Sequence, residues 1–507
     1  MKVDITLGYN YGYSWYTEKG ISVKGFIYDP GGTPMRRTAL AAYFRDADTE
    51  TALLARLQQA NGIFAVVIHR EDIVYCATDR TRTFPLFYSL DQDVLRISDV
   101  VELAAPGTLQ LDQEAKEEFL YTGYVTGART LLQGVRQVQA GACLVAAQGQ
   151  LNEHSYHYYI AEVALEGSFD TLSVQLAGLL DEVGQRLVKA LDGRTAVLPL
   201  SGGYDSRLIA VLLKKQGYTK VICFTYGIPS SPDVRMSARV AAQLQFPWHF
   251  IAYTPQLVGD FLHTPEFGAY LPFVVNGTSA LFTQDYFAVR HLVKESLIPQ
   301  DAVIVPGHTG DFIAGGHLEA GLTEDNVAPR LLQRHYAFRA GNKQSFLPRI
   351  HLPVVPAQPY EYFENWNLKE RQSKFIINSN RIYEFWGKEH LIPLWDKELI
   401  LFFQNLSWEH KWGRKLFDHI VFRHFFEPFG VAFPKKHYPF LLQKMAGARN
   451  RMRRVVFSDP VNFKLIARSF LKDRRLALGW SNKEVNINSI QTAWYIAWLE
   501  EQLGRQD

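Results

Sequence analysis

The feature that most constrains the fold is a short apolar strand that runs into a glycine-rich turn and then into a helix. Thr195–Leu200 has the composition of a buried strand, residues 201–206 (Ser-Gly-Gly-Tyr-Asp-Ser) form the turn, and Arg207–Gln216 has helical periodicity. Further strands are predicted at Lys220–Thr225, Trp248–Ala252 and Ala302–Val305. Strands that alternate with helices of this length need right-handed crossovers, so we expect an α/β domain with a mostly parallel sheet.

The first 160 or so residues are instead rich in short strands. Ile63–Ile68 and Ile73–Ala77 flank a polar turn and predict a hairpin, and Gln137–Gln139 with Cys143–Ala147 predicts a second one. A helix is expected between the hairpins, at Gln113–Tyr121. We therefore expect two domains, residues 1–165 and 170–507, the second ending in a mostly helical part.

Composition excludes several classes of protein. The 507 residues carry a net charge of +3, which gives no global reason to bind nucleic acid or a membrane. The three cysteines, Cys76, Cys143 and Cys223, are far apart, which argues against a disulfide scaffold and a cysteine zinc site. No apolar run is long enough to span a membrane, and the first residues lack the apolar core of a signal peptide. We expect a cytoplasmic protein.

The glycine-rich turn has the chemistry of a phosphate-binding loop. Gly202 and Gly203 allow a tight turn with exposed amides, Ser201 and Ser206 add hydroxyls, and the following helix directs its positive end at the loop. Asp205 suits a Mg²⁺ ion that bridges phosphates. The chain has no Walker sequence, which is the loop that enzymes of γ-phosphoryl transfer usually carry. The sequence therefore argues against transfer of a γ-phosphoryl group. A turn without a ligand is the alternative.

A second glycine-rich loop follows the last predicted strand. Gly307, His308, Gly310 and Asp311 lie in residues 305–311 (Val-Pro-Gly-His-Thr-Gly-Asp). In a doubly wound sheet both loops emerge at the carboxyl ends of strands, where ligands bind. Asp311 is therefore expected to complete a Mg²⁺ site with Asp205; the alternative is a simple turn.

These motifs resemble the asparagine synthetase / β-lactam synthetase family over most of the chain. The Ser-Gly-Gly-x-Asp-Ser loop resembles the pyrophosphate loop of ATP pyrophosphatases, which cleave between the α and β phosphates. Residues 230–242 and the second loop continue the family's synthetase pattern, and residues 61–65, 78–88 and 139–141 match the later part of its glutaminase domain. The resemblance implies an amino-terminal Ntn-hydrolase-like, class II glutamine amidotransferase-like β-rich sandwich. It also implies a carboxy-terminal ATP-pyrophosphatase (PP-loop) α/β domain.

The resemblance also implies site residues. The adenine of ATP is expected against the strand end at Thr225, Tyr226 and Gly227, with Leu200 and the following loop around the phosphates. In the family, a glutamate precedes a Pro-Phe-Leu-Asp stretch. In this chain Glu384, which precedes Pro393-Leu394-Trp395-Asp396, resembles that glutamate. The late lysine of the family resembles Lys436, although the neighbouring Lys435 is an open alternative.

Two departures from the family pattern shape the expected function. The chain lacks the amino-terminal cysteine nucleophile of a working glutaminase, since Lys2 follows Met1, so glutamine hydrolysis is not expected. β-Lactam synthetase, carbapenam synthetase and lasso-peptide cyclases share this loss. His308 and Phe312 replace the residues that asparagine synthetases carry in the second loop. A His308–Glu384 pair could deprotonate an amine; the alternative is a histidine that only hydrogen-bonds the loop.

The predicted activity is ATP- and Mg²⁺-dependent amide formation, in which a carboxylate is adenylated and the acyl group passes to an amine. We expect a natural-product lactam or macrolactam, with a small molecule or precursor peptide as substrate and a possible biosynthetic partner protein. Alternatives are amidation of a sugar-uronate or envelope precursor with supplied ammonia, a tRNA-modifying enzyme, and a non-catalytic partner-binding relative. Residues 441–480 carry 10 Lys and Arg against 2 Asp and Glu, which suits RNA, an acidic substrate or a solvated helical face.

Overall fold

The computed structural model describes residues 1–351, 354, 356–433, 461–477 and 486–505. The amino-terminal part is built from two sheets. Its strands are β1 (Lys2–Thr6), β2 (Tyr16–Glu18), β3 (Ile21–Tyr28), β4 (Pro34–Arg36), β5 (Gly62–Arg70), β6 (Ile73–Thr78), β7 (Phe87–Asp91), β8 (Val94–Ser98), β9 (Arg136–Gln137), β10 (Ala142–Ala147) and β11 (Gln150–Ser155). The larger sheet has the order β11-β10-β6-β5-β3-β2 with β4 beside β3, and the smaller has the order β1-β8-β7-β9.

The apolar run of β5 is continuous because both faces of the larger sheet are covered. Ile63 and Val67 join the core that includes Leu95 of β8, while Phe64 points the other way. There, helices α1 (Arg37–Arg45) and α2 (Glu50–Gln59) cover the sheet, and Phe44 packs on Phe64 at a ring-centroid distance of 5.6 Å. The result is the expected β-rich sandwich; α3 (Gln113–Thr122) follows the predicted helix.

One predicted hairpin is confirmed and the other is wrong. β5 and β6 pair antiparallel from Ala65↔Thr78 to Arg70↔Ile73. Gln137, however, pairs with Phe87 in the smaller sheet, while Cys143 pairs with Ala77 in the larger one. The two runs belong to different sheets because residues 138–141 cross from one sheet to the other.

The carboxy-terminal part contains the predicted parallel sheet, which confirms the α/β fold class. Its strands are β12 (Ala196–Pro199), β13 (Val221–Gly227), β14 (Trp248–Ala252) and β15 (Val303–Ile304), in the order β14-β13-β12-β15 with every pairing parallel. The chain order reverses at β12, which has β13 on one side and β15 on the other. Such a switch point opens a crevice at the carboxyl ends of the strands.

Helices surround this sheet and account for the remaining regular structure of the carboxy-terminal part. The helices up to the second loop are α4 (Phe169–Leu191), α5 (Tyr204–Lys215), α6 (Pro232–Leu244), α7 (Pro255–Val258), α8 (Pro265–Val275) and α9 (Tyr286–Lys294). Those after it are α10 (Gly310–Ile313), α11 (Glu324–His335), α12 (Pro359–Asn367), α13 (Arg381–Phe385), α14 (Lys397–Asn405), α15 (Trp408–Lys411), α16 (Lys415–Ile420), α17 (Phe463–Lys472), α18 (Arg474–Ala477) and α19 (Ile487–Leu503). Leu368–Ile376 and Val421–Phe426 are π-helical. Short 3₁₀ segments lie at Val101–Ala104, Phe261–His263, Gln344–Arg349, Ile377–Asn380, Pro393–Trp395 and Trp412–Arg414.

Within the described ranges, no helix combines the length and the apolar character needed to cross a membrane. The predicted domain boundary falls between β11 and α4, in residues 156–168, which form no helix or strand. Polar side chains join the two parts. Arg36 and Arg194 both bind Glu389, and Asn61 and Arg186 both bind Asp396.

Candidate active site

The first glycine-rich loop, residues 201–206, leaves the end of β12 and leads into α5. The Ser206 hydroxyl accepts from the Ser201 amide at 3.1 Å and lies 3.0 Å from the Ser201 hydroxyl. The Gly203 amide donates to the Ser201 hydroxyl at 3.2 Å, and the Gly202 amide donates to Asp233 Oδ1 at 3.2 Å. Side-chain oxygens of the protein thus accept the hydrogen bonds of the loop amides, as phosphate oxygens would.

The second loop leaves the end of β15 and packs directly on the first. A Cβ atom added to Gly307 would lie 2.6 Å from the Ser206 nitrogen, and one added to Gly310 would lie 2.7 Å from the Asp205 carboxyl carbon. These two glycines are therefore required by close approach rather than by turn geometry. The contact also brings the Asp311 amide to Asp205 Oδ2, to which it donates at 2.8 Å.

The two aspartates expected to bind metal lie side by side, joined by an arginine that the sequence did not indicate. Arg414 donates to Asp205 Oδ1 at 2.9 Å, to Asp311 Oδ1 at 2.8 Å and to Asp418 Oδ1 at 2.9 Å. These carboxylates raise the pKa of the Arg414 guanidinium, although its burial opposes the shift. Two carboxylates are the usual protein share of a Mg²⁺ site whose other ligands are phosphate and water, so the residues fit the ion once Arg414 yields.

A cavity of about 350 Å³ lies over both loops. Its lining at the phosphate-loop end includes Ser201, Gly203, Tyr204, Asp205, Ser206, Gly307, Asp311 and Arg414. Its remaining lining consists of Pro199, Tyr226, Phe282, Gln284, Asp285, Pro306, His308 and Tyr383. The cavity therefore joins the predicted phosphate site to a second region with its own polar groups.

The strand-end residues expected near adenine have three different environments. The Thr225 hydroxyl donates to the Leu200 carbonyl at 2.7 Å, and the Gly227 carbonyl accepts from the Tyr253 amide at 2.9 Å. The Tyr226 side chain crosses to Asp285 and lines the cavity. Of the three residues expected near adenine, Tyr226 alone is in the lining; the adenine site stays a prediction.

His308 lies in the cavity wall, but its hydrogen-bond partner is Asn380 rather than the expected Glu384. His308 Nδ1 lies 2.8 Å from Asn380 Oδ1. Glu384 lies in the interface with the amino-terminal domain, where its Oε2 is 3.8 Å from Lys24 Nζ and both side chains are buried. The expected His308–Glu384 pair is thus not formed among the described residues. The catalytic roles of both residues stay predictions.

Burial changes the charge properties of these groups. It lowers the pKa of His308, against the opposing effects of the Asp285 charge and the Asn380 hydrogen bond. Burial also raises the pKa of Glu384 and lowers that of Lys24. His308 is therefore neutral near pH 7, the state in which a histidine can accept a proton.

Lys435 and Lys436 lie outside the described residues, and so does most of the basic stretch at 441–480.

The structure also places two residues in the cavity lining that no sequence motif indicated, Arg414 and Asp285. Each is brought to the cavity from a distant part of the sequence, and neither stands in a recognisable motif. A charged residue near the start of a helix, as Asp285 is, was the only local signal.

Two family models match this chain. The asparagine synthase model matches residues 182–429, which contain both loops and the cavity lining. The glutamine amidotransferase domain model matches residues 39–157, and the two matches together cover more than two thirds of the chain.

The chain belongs to the asparagine synthetase family. A search of curated proteins found no significant match. Among solved structures, the NH3-dependent NAD synthetase from Campylobacter jejuni is 17% identical, with a TM-score of 0.18, covering 30% of this chain and 62% of its own. The glutamine phosphoribosylpyrophosphate amidotransferase from B. subtilis is 12% identical, with a TM-score of 0.19, covering 58% of this chain and 63% of its own. This family member thus spans just over three fifths of the length of those structures.

Proposed function

We propose that this chain is an ATP-dependent carbon–nitrogen ligase. It adenylates a carboxylate with release of pyrophosphate and passes the acyl group to an amine with release of AMP. The observation that carries the proposal is the convergence of the two glycine-rich loops over one cavity, with Ser201, Ser206, Asp205 and Asp311 around it. Membership in the asparagine synthetase family supports the same chemistry.

The first loop binds the phosphates. The amides of Gly202 and Gly203 already point to oxygen acceptors, which are the Asp233 carboxylate and the Ser201 hydroxyl. Phosphate oxygens replace these acceptors, and the amino-terminal end of α5 adds a favourable electrostatic field. Asp205 and Asp311 would hold Mg²⁺, and the ion would supply positive charge that offsets the charge of the leaving pyrophosphate.

His308 accepts the proton of the attacking amine. Asn380 Oδ1 can only accept a hydrogen bond, so His308 Nδ1 carries the proton between them and Nε2 keeps a free electron pair. Asn380 thereby orients the ring without adding charge, and the lowered pKa keeps the ring neutral at pH 7. Lys436, outside the described residues, is proposed to stabilise the oxyanion that forms at the acyl carbon.

We further propose that the chain does not hydrolyse glutamine. The described cysteines, Cys76, Cys143 and Cys223, are all free and fully buried inside the sheets. Burial raises the pKa of Cys143 and of Cys223 to about 12, and it also raises the pKa of Cys76 well above its usual value, so none readily forms a thiolate. Buried free thiols also suit the cytoplasm, where we propose that the protein acts.

The substrates we propose are an acid and an amine of a lactam or macrolactam pathway, carried by a small molecule or a precursor peptide. Nucleotide product analysis tests the reaction. The purified protein is incubated with Mg-ATP and chromatographic fractions of small acids and peptides from the source cells. We expect AMP and pyrophosphate in equal amounts from one fraction; ADP and phosphate would overturn the proposal.

Two variants locate the reaction. Asp205→Ala should abolish AMP formation, because it removes a proposed metal ligand. Asp181→Ala is the matched control, since Asp181 pairs with Lys215 away from the cavity lining, and it should leave the rate unchanged. Normal turnover of Asp205→Ala would show that the metal assignment is wrong.

A further inference from the structure

The cavity contains a carboxylate that the proposed adenylation step does not use. Asp285 is the N-cap residue of α9, but its side chain accepts no hydrogen bond from the helix backbone and instead lines the cavity. Its Oδ2 accepts from the Tyr383 hydroxyl at 2.8 Å, and its Oδ1 accepts from the Tyr226 hydroxyl. Gln284 Nε2 donates to the Tyr226 oxygen at 3.1 Å, which holds that tyrosine in place.

The described hydrogen-bond donors of this carboxylate are neutral hydroxyls. Burial and the Asp285 charge raise the pKa of Tyr226 and of Tyr383 well above 10, so both hydroxyls keep their protons and donate them. Within the described ranges, no Lys or Arg nitrogen forms an ion pair with Asp285, which is 8% exposed. A carboxylate buried among neutral donors is costly unless a cation reaches it.

The position of Asp285 defines which cation would reach it. The cavity extends from the phosphate loop to Asp285, so a ligand held there faces the predicted acyl-adenylate. The charge of Asp285 acts on His308, the proposed proton acceptor in the same lining. Phe282 adds an apolar wall, which suits the carbon chain of an organic amine better than free ammonia.

We propose that Asp285, oriented by the hydroxyls of Tyr226 and Tyr383, forms a subsite for the primary ammonium group of the acyl acceptor, an organic amine. The inference rests on the proposed function and names the amine class. His308 Nε2 takes one proton from the bound ammonium, and the nitrogen electron pair forms the C–N bond. The acyl C–O bond to AMP breaks and its electron pair leaves with AMP, while the second proton lost from nitrogen passes to solvent.

Ligand-observed NMR titration tests the subsite without knowledge of the substrate. The probe is n-butylammonium, with n-butanol as the neutral analogue, added to the full chain without nucleotide. We expect n-butylammonium to bind at least about tenfold more tightly than n-butanol, and Asp285→Asn to weaken its binding by about tenfold or more. Tyr383→Phe, which keeps the charge, should retain binding within about threefold.

Controls separate this subsite from the nucleotide site. Glu118→Gln alters a buried carboxylate that also accepts a tyrosine hydroxyl, from Tyr336, but lies outside the cavity lining, and it should leave probe binding unchanged. The affinity for the Mg²⁺ complex of α,β-methylene-ATP should stay within about threefold in Asp285→Asn. Absence of binding of that analogue to the wild-type chain would overturn the proposed function, while the probe titration still decides the subsite.

Several results would overturn the inference. They are equal binding of n-butanol and n-butylammonium, unchanged probe binding in Asp285→Asn, and displacement of the probe by an equal concentration of ammonium chloride. Loss of nucleotide affinity in Asp285→Asn with unchanged probe binding would assign the carboxylate to the nucleotide base instead. If Asp285→Asn does not fold, the wild-type comparison of the two probes and the Tyr383→Phe titration decide the question.

Discussion

Replacement of Arg414 by glutamine should increase the affinity of this chain for a divalent cation. Arg414 holds the two carboxylates that are proposed to bind the metal, so a cation must displace its guanidinium from both. Glutamine keeps most of the side-chain length and removes the charge. The expected gain in the binding free energy of the cation equals the energy of the interaction between Arg414 and the two carboxylates, which the cation no longer has to break.

The magnitude follows from the exposure of each ion pair. The Asp311 side chain is 67% exposed, so its pair with Arg414 contributes about 0–1 kcal/mol. The Asp205 and Arg414 side chains are 20% and 7% exposed, and a hydrogen bond between charged groups in such a place contributes about 1.5–3 kcal/mol. A net value of about 2 kcal/mol corresponds to roughly thirtyfold tighter cation binding in Arg414→Gln.

Titration with Mn²⁺ followed by electron paramagnetic resonance, without nucleotide, measures this affinity directly. The matched control is Arg194→Gln, because Arg194 also pairs with a carboxylate, that of Glu389, outside the cavity lining. The control should bind Mn²⁺ as the wild type does. Equal or weaker binding of Mn²⁺ by Arg414→Gln would refute the reasoning, since it would mean that Arg414 does not compete with the cation.

Three further predictions concern the loop contact, the proposed base and the domain interface. Gly310→Ala should weaken binding of α,β-methylene-ATP by about tenfold or more, because its Cβ would lie 2.7 Å from the carboxyl carbon of Asp205. Gly268→Ala, whose added Cβ would have no atom within 4 Å, should leave this binding unchanged, and calorimetry measures the affinity of both variants. The pH profile of amide formation should lose activity as pH falls through a value below 6.5, because His308 must be neutral and burial lowers its pKa. Lys24→Met should lower the free energy of unfolding by about 3 kcal/mol, since it leaves Glu384 buried without its partner. Adding Glu384→Leu should restore much of the lost stability, and urea titrations measure both variants.

Each of these predictions has a result that contradicts it. Normal nucleotide affinity in Gly310→Ala would mean that the loops can separate without cost. An acid limb above pH 6.5 would exclude His308 as the base in this environment, where Asp285 and Asp205 raise its pKa and burial lowers it more strongly. Equal stability of the Lys24 single and double variants would show that Glu384 does not depend on Lys24.

The fold and the phosphate-loop end of the cavity could be predicted from the sequence because they depend on local patterns. A buried strand, a glycine-rich turn and a helix adjoin in sequence, and parallel strands bring their carboxyl ends to one edge whatever the packing around them. This is why Asp205 and Asp311, 106 residues apart, were expected together and lie together. Their role as metal ligands stays a prediction.

The tertiary structure alone decided the partners of the charged groups. Asn380, not Glu384, meets His308; Asn380 ends a 3₁₀ turn that follows a π-helical segment and precedes α13. Sequence periodicity does not encode such local winding. Asp285 and Arg414 reach the cavity through contacts between distant elements, with Arg414 209 residues from Asp205. Side chains that belong to no motif are placed by packing of the whole chain, and local sequence carries no record of that packing.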